Sequence, residues 1–210
     1  IPIPLTNSRH NFVPAIGLHY NSGSGNGSFG LGWSLNIPSI TRKTEMGLPQ
    51  YFDENDSDTF ILSGTEDLIP LLEKKNSKWE KYKKTVNENG ISYTVRRYRP
   101  RIEGAFSLIE KWENDSNGET HWRTVSSDNT RSYYGLTPES RVFDPKDESR
   151  VFEWKICRTH DDKGNILIYE YKKEDFTGIP NKLNEKNRKN NCTQTYIKKV
   201  FYGNREPYYL

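Results

Sequence analysis

The 210-residue sequence predicts an all-β chain of short, mainly antiparallel strands and hairpins, with little helix. Three observations carry that prediction. From Phe29 to Ile37 the apolar residues fall on every odd position, with Gly30, Gly32, Ser34 and Asn36 between them. A period of two marks a strand with one buried face. Turn signals built from Gly, Asn and Asp then recur along the chain at the close spacing of all-β folds. Finally, hydrophobic residues make up only 32% of the chain while aromatics reach 13%. Strands favour aromatic residues, and disordered chains are poor in them. With a mean hydropathy of -0.93, the composition predicts an extended sheet with much wetted surface, or a piece of something larger. One domain over residues 1–210 is expected, with any sub-boundary in the polar region 73–90. A chain opening at Ile1 without methionine is expected to be excised from a longer protein.

Taken in order, IPIPL (Ile1–Leu5) alternates apolar residues with proline and reads as an extended edge segment. FVPAIGLHY (Phe12–Tyr20) and Phe29–Ile37 form a hairpin around the glycine-rich loop Asn21–Ser28, where glycine permits positive φ. In that hairpin Trp33 is expected to be buried, with Gly30 and Gly32 admitting a close neighbour. Ser39–Leu62 reads as strand, turn, strand, the turn ending in the acidic loop Asp53–Asp58. Glu66–Leu72 is a short strand broken by Pro70. Glu73–Lys84 is either the best helix candidate of the chain or a charged strand pair. Asn89-Gly90 marks a turn before ISYTVRRYR (Ile91–Arg99). Phe106–Trp112 and Glu119–Val125 read as a hairpin, Arg131–Gly135 as a strand, and Thr137–Glu148 as a connector holding one helical turn. Arg150–Thr159 and ILIYEYKKE (Ile166–Glu174) flank the turn Asp161–Asn165. Thr177–Asn191 is a polar loop, and Tyr196–Tyr202 is the last strand.

The residues exclude several chemistries. A net charge of +3 is too weak to imply nucleic acid. No run approaches the roughly 20 apolar residues of a membrane span, and no signal peptide is visible. Cys157 and Cys192 have no CxxC or Cys/His spacing and read as free or buried thiols. The glycines of Gly23–Gly32 lack a following GK[ST] and open a strand, so they do not cradle a phosphate. Asp53, Asn55 and Ser57 have calcium-loop spacing without its glycine or its bidentate glutamate, and a solvated turn is the better account. His10, His19, His121 and His160 show no ligand spacing, so no metal or cofactor is expected. The basic run YTVRRYRPRIEG (Tyr93–Gly104) could stack on single-stranded nucleic acid. The preferred reading is structural: Arg97, Arg99 and Arg101 share one strand face and bridge to acidic neighbours, with Glu103 placed to pair.

These residues also carry a resemblance. SGNGSFGLGWSLNIPSI (Ser24–Ile40) and DTFILSGTEDLIP (Asp58–Pro70) closely resemble the N-terminal domain of the Salmonella virulence plasmid B (SpvB) family. That domain is shared with the B component (TcB) of insecticidal toxin complexes (Tc toxins). The likeness continues through VRRYRPRIEG (Val95–Gly104), THWRTVSSDN (Thr120–Asn129), YYGLTPESRVFDP (Tyr133–Pro145), ICRTHDDKGNILIYEYK (Ile156–Lys172) and YIKKVFYGN (Tyr196–Asn204), nearly the whole chain. The resemblance implies a layered β shell, completed by Rhs/YD-type repeats, that encloses a toxic C-terminal cargo. DDKGNILIYEY (Asp161–Tyr171) resembles one such repeat. The implied partners are the remainder of its own chain and a toxin-complex C component or pore-forming A component. The implied location is secreted, after synthesis in the bacterial cytoplasm.

In SpvB proteins the enzyme is a separate C-terminal ADP-ribosyltransferase acting on actin. Its ExE glutamate pair is absent here, because no two Glu are separated by one residue, and its STS motif is absent too. The expectation is therefore a non-enzymatic scaffold or encapsulation domain, with no catalytic, cofactor or metal residues. The structural positions singled out are Gly30, Gly32, Trp33, Arg97, Arg99, Arg101, Glu103 and Trp122. The rival is a carbohydrate- or surface-binding module in which Trp79, Trp112 or Trp122 stacks on sugars. A third reading is an enzyme built on a converging Asp/Glu pair.

Overall fold

The structure is a computed structural model. It describes residues 1–209 apart from 24, 46, 64, 65, 103, 105, 176, 181 and 187–191. At the N-terminus Ile1 and Leu18 exchange backbone hydrogen bonds at 2.6 and 2.8 Å, and the Ile3 amide donates to the Ile16 carbonyl. The IPIPL segment is thus extended along the chain that leads into β1 (Leu18–Tyr20). After β2 (Asn26–Gly27) and β3 (Gly30–Leu31), β4 (Trp33–Leu35) pairs antiparallel with β1, Tyr20 facing Trp33 and Leu18 facing Leu35.

The expected hairpin is present, but no strand runs unbroken from Phe29 to Ile37. Gly30 and Gly32 take φ of +96° and +77°, so the backbone turns twice and the alternation is lost. Phe29 and Leu31 point outward instead of into a core, and β3 folds back on β2. At Gly32 a Cβ would lie 2.7 Å from Cε2 of Tyr20, which only glycine avoids.

The remaining strands are β5 (Ser39–Arg42), β6 (Phe60–Leu62), β7 (Glu66–Pro70), β8 (Leu72–Lys75), β9 (Lys78–Lys81), β10 (Lys83–Glu88), β11 (Ile91–Pro100), β12 (Leu108–Asn114), β13 (Thr120–Val125), β14 (Arg131–Tyr134), β15 (Arg141–Asp144), β16 (Asp147–His160), β17 (Ile166–Lys173) and β18 (Thr195–Phe201). One four-residue helix, α1 (Leu183–Lys186), lies in the polar loop before β18. Antiparallel pairing runs β14-β13-β12-β11-β7-β6-β5-β16, and β14 pairs back onto β16. That path closes an eight-stranded barrel, which removes most open edges. Two long strands make the closure possible. On one edge β11 pairs first with β10 and then with β7. β16, fourteen residues long, carries β15 and then β14 on one edge, β5 and then β17 on the other.

Eight strands leave an interior just wide enough for side chains to fill. Ile40, Phe60, Leu68, Tyr98, Ile109, Trp122 and Trp154 fill it, each 5% exposed or less. The aromatics meet edge-on or tilted: the Trp122 ring lies 4.9 Å from both Phe60 and Tyr98 and 5.9 Å from Trp154. Such offset contacts suit the ring quadrupoles. Gly135, at φ +73°, sits against Trp154, where a Cβ would fall 2.4 Å from Cδ1. A register shift between Val142 and Phe143 buries Val151 and Trp154 together, although they are three residues apart.

The helix alternative for Glu73–Lys84 is overturned. β8 and β9 form a hairpin through Asn76 and Ser77, both at positive φ (48° and 68°), as a two-residue type I′ turn requires. Asn89 and Gly90 do the same between β10 and β11. The connector after β14 holds its single helical turn at Pro138–Ser140, but beyond that turn it forms a strand, β15, where the sequence pattern predicts only a connector.

Candidate functional site

Among the singled-out residues, only Trp122 lies in the barrel core, with no exposed surface. Trp33 is half-buried, its ring 5.2 Å from Tyr20 on the N-terminal arm. Gly32 is buried beside it, while Gly30 faces open space. Arg97 donates to Glu110 at 2.9 Å and lies over the Tyr82 ring at 4.5 Å. Its neighbour Arg96, on the inner face, meets Glu113 at 2.5 Å. Arg99 and Arg101 are exposed; the Arg101 amide donates to the Asp67 carbonyl at 2.8 Å, while its guanidinium stands 3.9 Å from the Asp67 carboxylate. Glu103 lies outside the described residues.

One charged cluster went unrecognised in the sequence. Arg42 of β5 and Lys111 of β12 are interior residues, 2% and 1% exposed. The loop between β5 and β6 folds over that end of the barrel and supplies their counterions. Arg42 makes a two-pronged pair with Asp53 and bonds Asp58 at 2.8 Å, while its Nε donates to the Val151 carbonyl at 2.7 Å. Lys111 pairs with the same Asp53 carboxylate. Asp58 also accepts from the amides of Gln50 and Tyr51. The acidic loop is therefore an ionic plug and not a solvated turn. The signal in the sequence was faint: Arg42 follows Ile40, and Lys111 follows Ile109, each two residues on and so on the same strand face.

Burial alone would raise the Asp53 carboxyl, but the Arg42 hydrogen bonds and the Lys111 charge hold it well below the usual carboxylate range. Burial lowers Lys111, and Asp53 opposes that shift. A carboxylate so strongly held as an anion is a poor proton acceptor near neutrality. The cluster fastens the loop to the barrel.

The outer face of β12 to β16 bears stacked cations and rings. Arg123 lies 3.6 Å over Trp112 and forms a two-pronged pair with Glu88. Arg158 lies 4.3 Å over Tyr133. The Nε of Arg123 donates to Nε2 of His121 at 3.0 Å, so that imidazole is neutral at this nitrogen. Burial, then the Arg123 charge, pushes His121 down to about 3. An unfolded histidine binds its proton below about pH 6.5, whereas this one stays neutral until about 3. Stability is thus full above about pH 6.5 and falls as pH drops toward 3, by at most about 5 kcal/mol. His160, also lowered chiefly by burial, adds with the same sign. Urea midpoints measured from pH 8 to 4 should fall more steeply for the parent chain than for His121→Gln. The difference should approach about 1.4 kcal/mol per pH unit between pH 6 and 4.

Some of the exposed apolar residues lie on the N-terminal arm and on the last two strands, and others are spread along the chain, as at Leu48, Trp79, Ile102, Phe106 and Leu183. Leu31 is 71% exposed, and Phe29, Tyr20 and Phe201 are each about half exposed or more. A cleft of about 250 Å³ separates the arm from β17–β18, walled by Phe29, Leu35, Ile37, Tyr171 and Tyr196. It opens where the neighbour of β16 changes from β5 to β17. Lys155, at its base, is held by the Thr195 carbonyl at 2.5 Å and hydroxyl at 3.0 Å. Beyond the cleft, β18 pairs only with β17 among the described strands.

Of the tryptophans proposed to stack on sugars, Trp112 and Trp122 are buried and only Trp79 is exposed. Cys157 is buried, its thiol donating to the Tyr133 carbonyl at 3.2 Å and pushed up by burial; Cys192 is partly exposed. Among the described residues no group of His, Cys, Asp and Glu is arranged to hold a metal. No helix is long and apolar enough to cross a membrane.

Comparison with known proteins gives a consistent result. The family model described as "Salmonella virulence plasmid 65kDa B protein" matches residues 1–210. The chain is 35% identical over 209 residues to the mono(ADP-ribosyl)transferase SpvB of Salmonella typhimurium (strain 14028s / SGSC 2262), covering 99% of this chain and 34% of that protein. It spans about a third of the length of the curated relatives it matches. The solved N-terminal domain of the effector SpvB from Salmonella typhimurium strain LT2 superimposes with a TM-score of 0.86 at 36% identity, over 99% of this chain and 64% of that one. The TcdB2-TccC3 structure matches at 0.83 and 29% identity, over 98% of this chain and 10% of that one. The Photorhabdus luminescens Tc holotoxin pore matches at 0.86 and 29%, over 99% and 9%.

Proposed function

Because this chain belongs to the SpvB family, the Salmonella virulence plasmid 65kDa B proteins, we propose that it is a non-enzymatic scaffold domain of a bacterial toxin or effector, one that helps enclose or present a toxic region. The observation that carries the reading is the recurrence of the whole fold as about a tenth of the TcdB2-TccC3 chain and as the N-terminal domain of an effector. A module used in both settings serves what they share, a longer chain built around it. On this reading the transferase activity in the name of the curated relatives belongs to the part of their length that this chain does not span.

The exposed arm and the open edge of β18 are the surfaces on which further β structure would lie. Patches of this kind mark interaction sites, and an unpaired edge is a template for another strand. The partners are then the remainder of the chain, with its Rhs/YD-type repeats, and the C or pore-forming A component of a toxin complex. The location is secreted.

Maleimide labelling of a Leu31→Cys, Cys192→Ser variant tests this. The new thiol should react freely in residues 1–210 and at least about tenfold more slowly in a chain that carries the full length of the relatives. Residues 1–210 should show no NAD turnover and no transfer to actin. Equal labelling in the two chains, or NAD turnover by residues 1–210, would overturn the reading.

A further inference from the structure

β8 and β9 pair with each other and, among the described residues, with no strand of the barrel. They leave the barrel wall at one point. β11 pairs with β10 up to Arg96 and with β7 from Tyr98, so the hairpin emerges beside Arg97. Its base is fastened there. The Leu71 amide donates to the Arg97 carbonyl and the Tyr82 amide to the Leu71 carbonyl, both at 2.8 Å. The Arg97 guanidinium covers the Tyr82 ring. Beyond this base the four residues of each strand span about 13 Å, and all but Glu73 are exposed.

Positive charge is concentrated on this projection. Residues 72–84 hold six lysines and two glutamates, a net +4, whereas the whole chain is +3 and the remainder therefore -1. All six lysines are exposed. Lys75 pairs with Glu73 at 2.5 Å, and Lys81, near the base, pairs with Asp56. Lys74, Lys78, Lys83 and Lys84 have no ion pair among the described residues.

The two faces of the hairpin differ. Directly opposed residues share a face, and the register sets Leu72 opposite Lys81 and Lys74 opposite Trp79. That face holds two cations, no acid and two large apolar side chains, Leu72 52% and Trp79 68% exposed. The other face, Glu73, Lys75, Lys78 and Glu80, is balanced in charge.

An apolar and cationic face selects among anionic partners. Tryptophan settles at the headgroup level of a bilayer, and lysine stems lie along apolar surface while their ammonium groups reach out. Each lysine near an anionic leaflet strengthens binding about fivefold. Protein interfaces are depleted in lysine, which disfavours an acidic protein. Single-stranded nucleic acid needs a succession of open rings, but Arg97 covers Tyr82 and leaves Trp79 as the one open ring of the hairpin.

We propose that the β8–β9 hairpin docks on an anionic lipid bilayer. Trp79 and Leu72 enter the headgroup region, and Lys74, Lys78, Lys83 and Lys84 meet the lipid phosphates and carboxylates. The surface is separate from the arm and the β18 edge, and it does not depend on the scaffold role.

The test is co-sedimentation of residues 1–210 with phosphatidylcholine vesicles, with and without about a third phosphatidylserine. Binding should be at least about tenfold stronger with phosphatidylserine, and raising salt from about 0.1 to about 0.5 M should release most of it. Lys74→Glu/Lys78→Glu should reduce binding to the level of phosphatidylcholine alone, and Trp79→Ala should weaken it at least about threefold. These are exposed positions, so the circular dichroism spectrum and urea midpoint should not change. Lys146→Glu/Lys163→Glu, the same charge change elsewhere on the surface, should keep most of the binding. Equal or absent binding to the two vesicles overturns the proposal. So does binding that survives Lys74→Glu/Lys78→Glu, or an equal loss in Lys146→Glu/Lys163→Glu. Tighter binding to oligothymidylate or to poly-L-glutamate than to the anionic vesicles overturns it in favour of those classes.

Discussion

Trp122→Ala is expected to cost about 3–5 kcal/mol, the range for deleting a fully buried aromatic. Domains of this kind are stable by only about 5–15 kcal/mol, so one substitution would remove a large share. The indole touches Phe60, Tyr98 and Trp154, which come from three different strands of the barrel. A cavity at their meeting point cannot collapse without moving all three. Trp122→Phe should be far milder, about 1–2 kcal/mol, because the Trp122 Nε1 has no hydrogen-bond partner among the described residues and its loss leaves nothing unpaired. Trp33→Ala should cost less than Trp122→Ala, since part of its ring is already in water. Urea denaturation of the three variants checks the order; equal midpoints for Trp33→Ala and Trp122→Ala would show that the barrel interior is not the core.

Asp53→Ala is expected to be comparably severe, about 3–5 kcal/mol, because it strips a buried pair of cations of their shared counterion. Arg42 would keep Asp58, but Lys111, 1% exposed, has only Asp53 as an ion-pair partner among the described residues. The companion change makes the test specific. Lys111→Met in the Asp53→Ala background removes the stranded charge and should restore part of the loss, whereas independent effects would add. The Asp53 pair also sets a sign with pH. Its carboxyl is lowered on folding, so its contribution is present above the unfolded value near pH 4 and disappears as pH falls below it. The parent chain should therefore lose stability in acid beyond what the histidines explain, and Asp53→Ala should lose less.

The two aromatic predictions show where sequence pattern succeeded and where it failed. Alternation on β11 to β13 was legible because no residue there interrupts the pleat, and Trp122 fell on the face shared with Tyr98 and Ile109. The same argument applied to Phe29–Ile37 failed. Its even positions hold two glycines, and these took positive φ instead of serving as small strand residues. Hairpin turns were readable where Asn-Gly stood between strands. They were ambiguous at Asn76-Ser77, where lysine and glutamate on either side equally suit a helix. The Arg97 pairing was anticipated from its strand face, but the ionic plug was not. Nothing local distinguishes an acidic loop in water from one that reaches over a barrel to Arg42 and Lys111, because the contact joins residues far apart in sequence.

The closure of the barrel has a kinetic meaning. Ile40 finds its partner in Trp154, so β5 must wait for more than a hundred residues to be made before its second edge is satisfied. At about 5–20 residues per second, the nascent chain spends on the order of ten seconds with that strand unclosed. Pairings of such long range are also the slow ones in refolding. The domain is thus most exposed to misassembly during its own synthesis, and the fourteen-residue β16 is the latch whose arrival ends that interval.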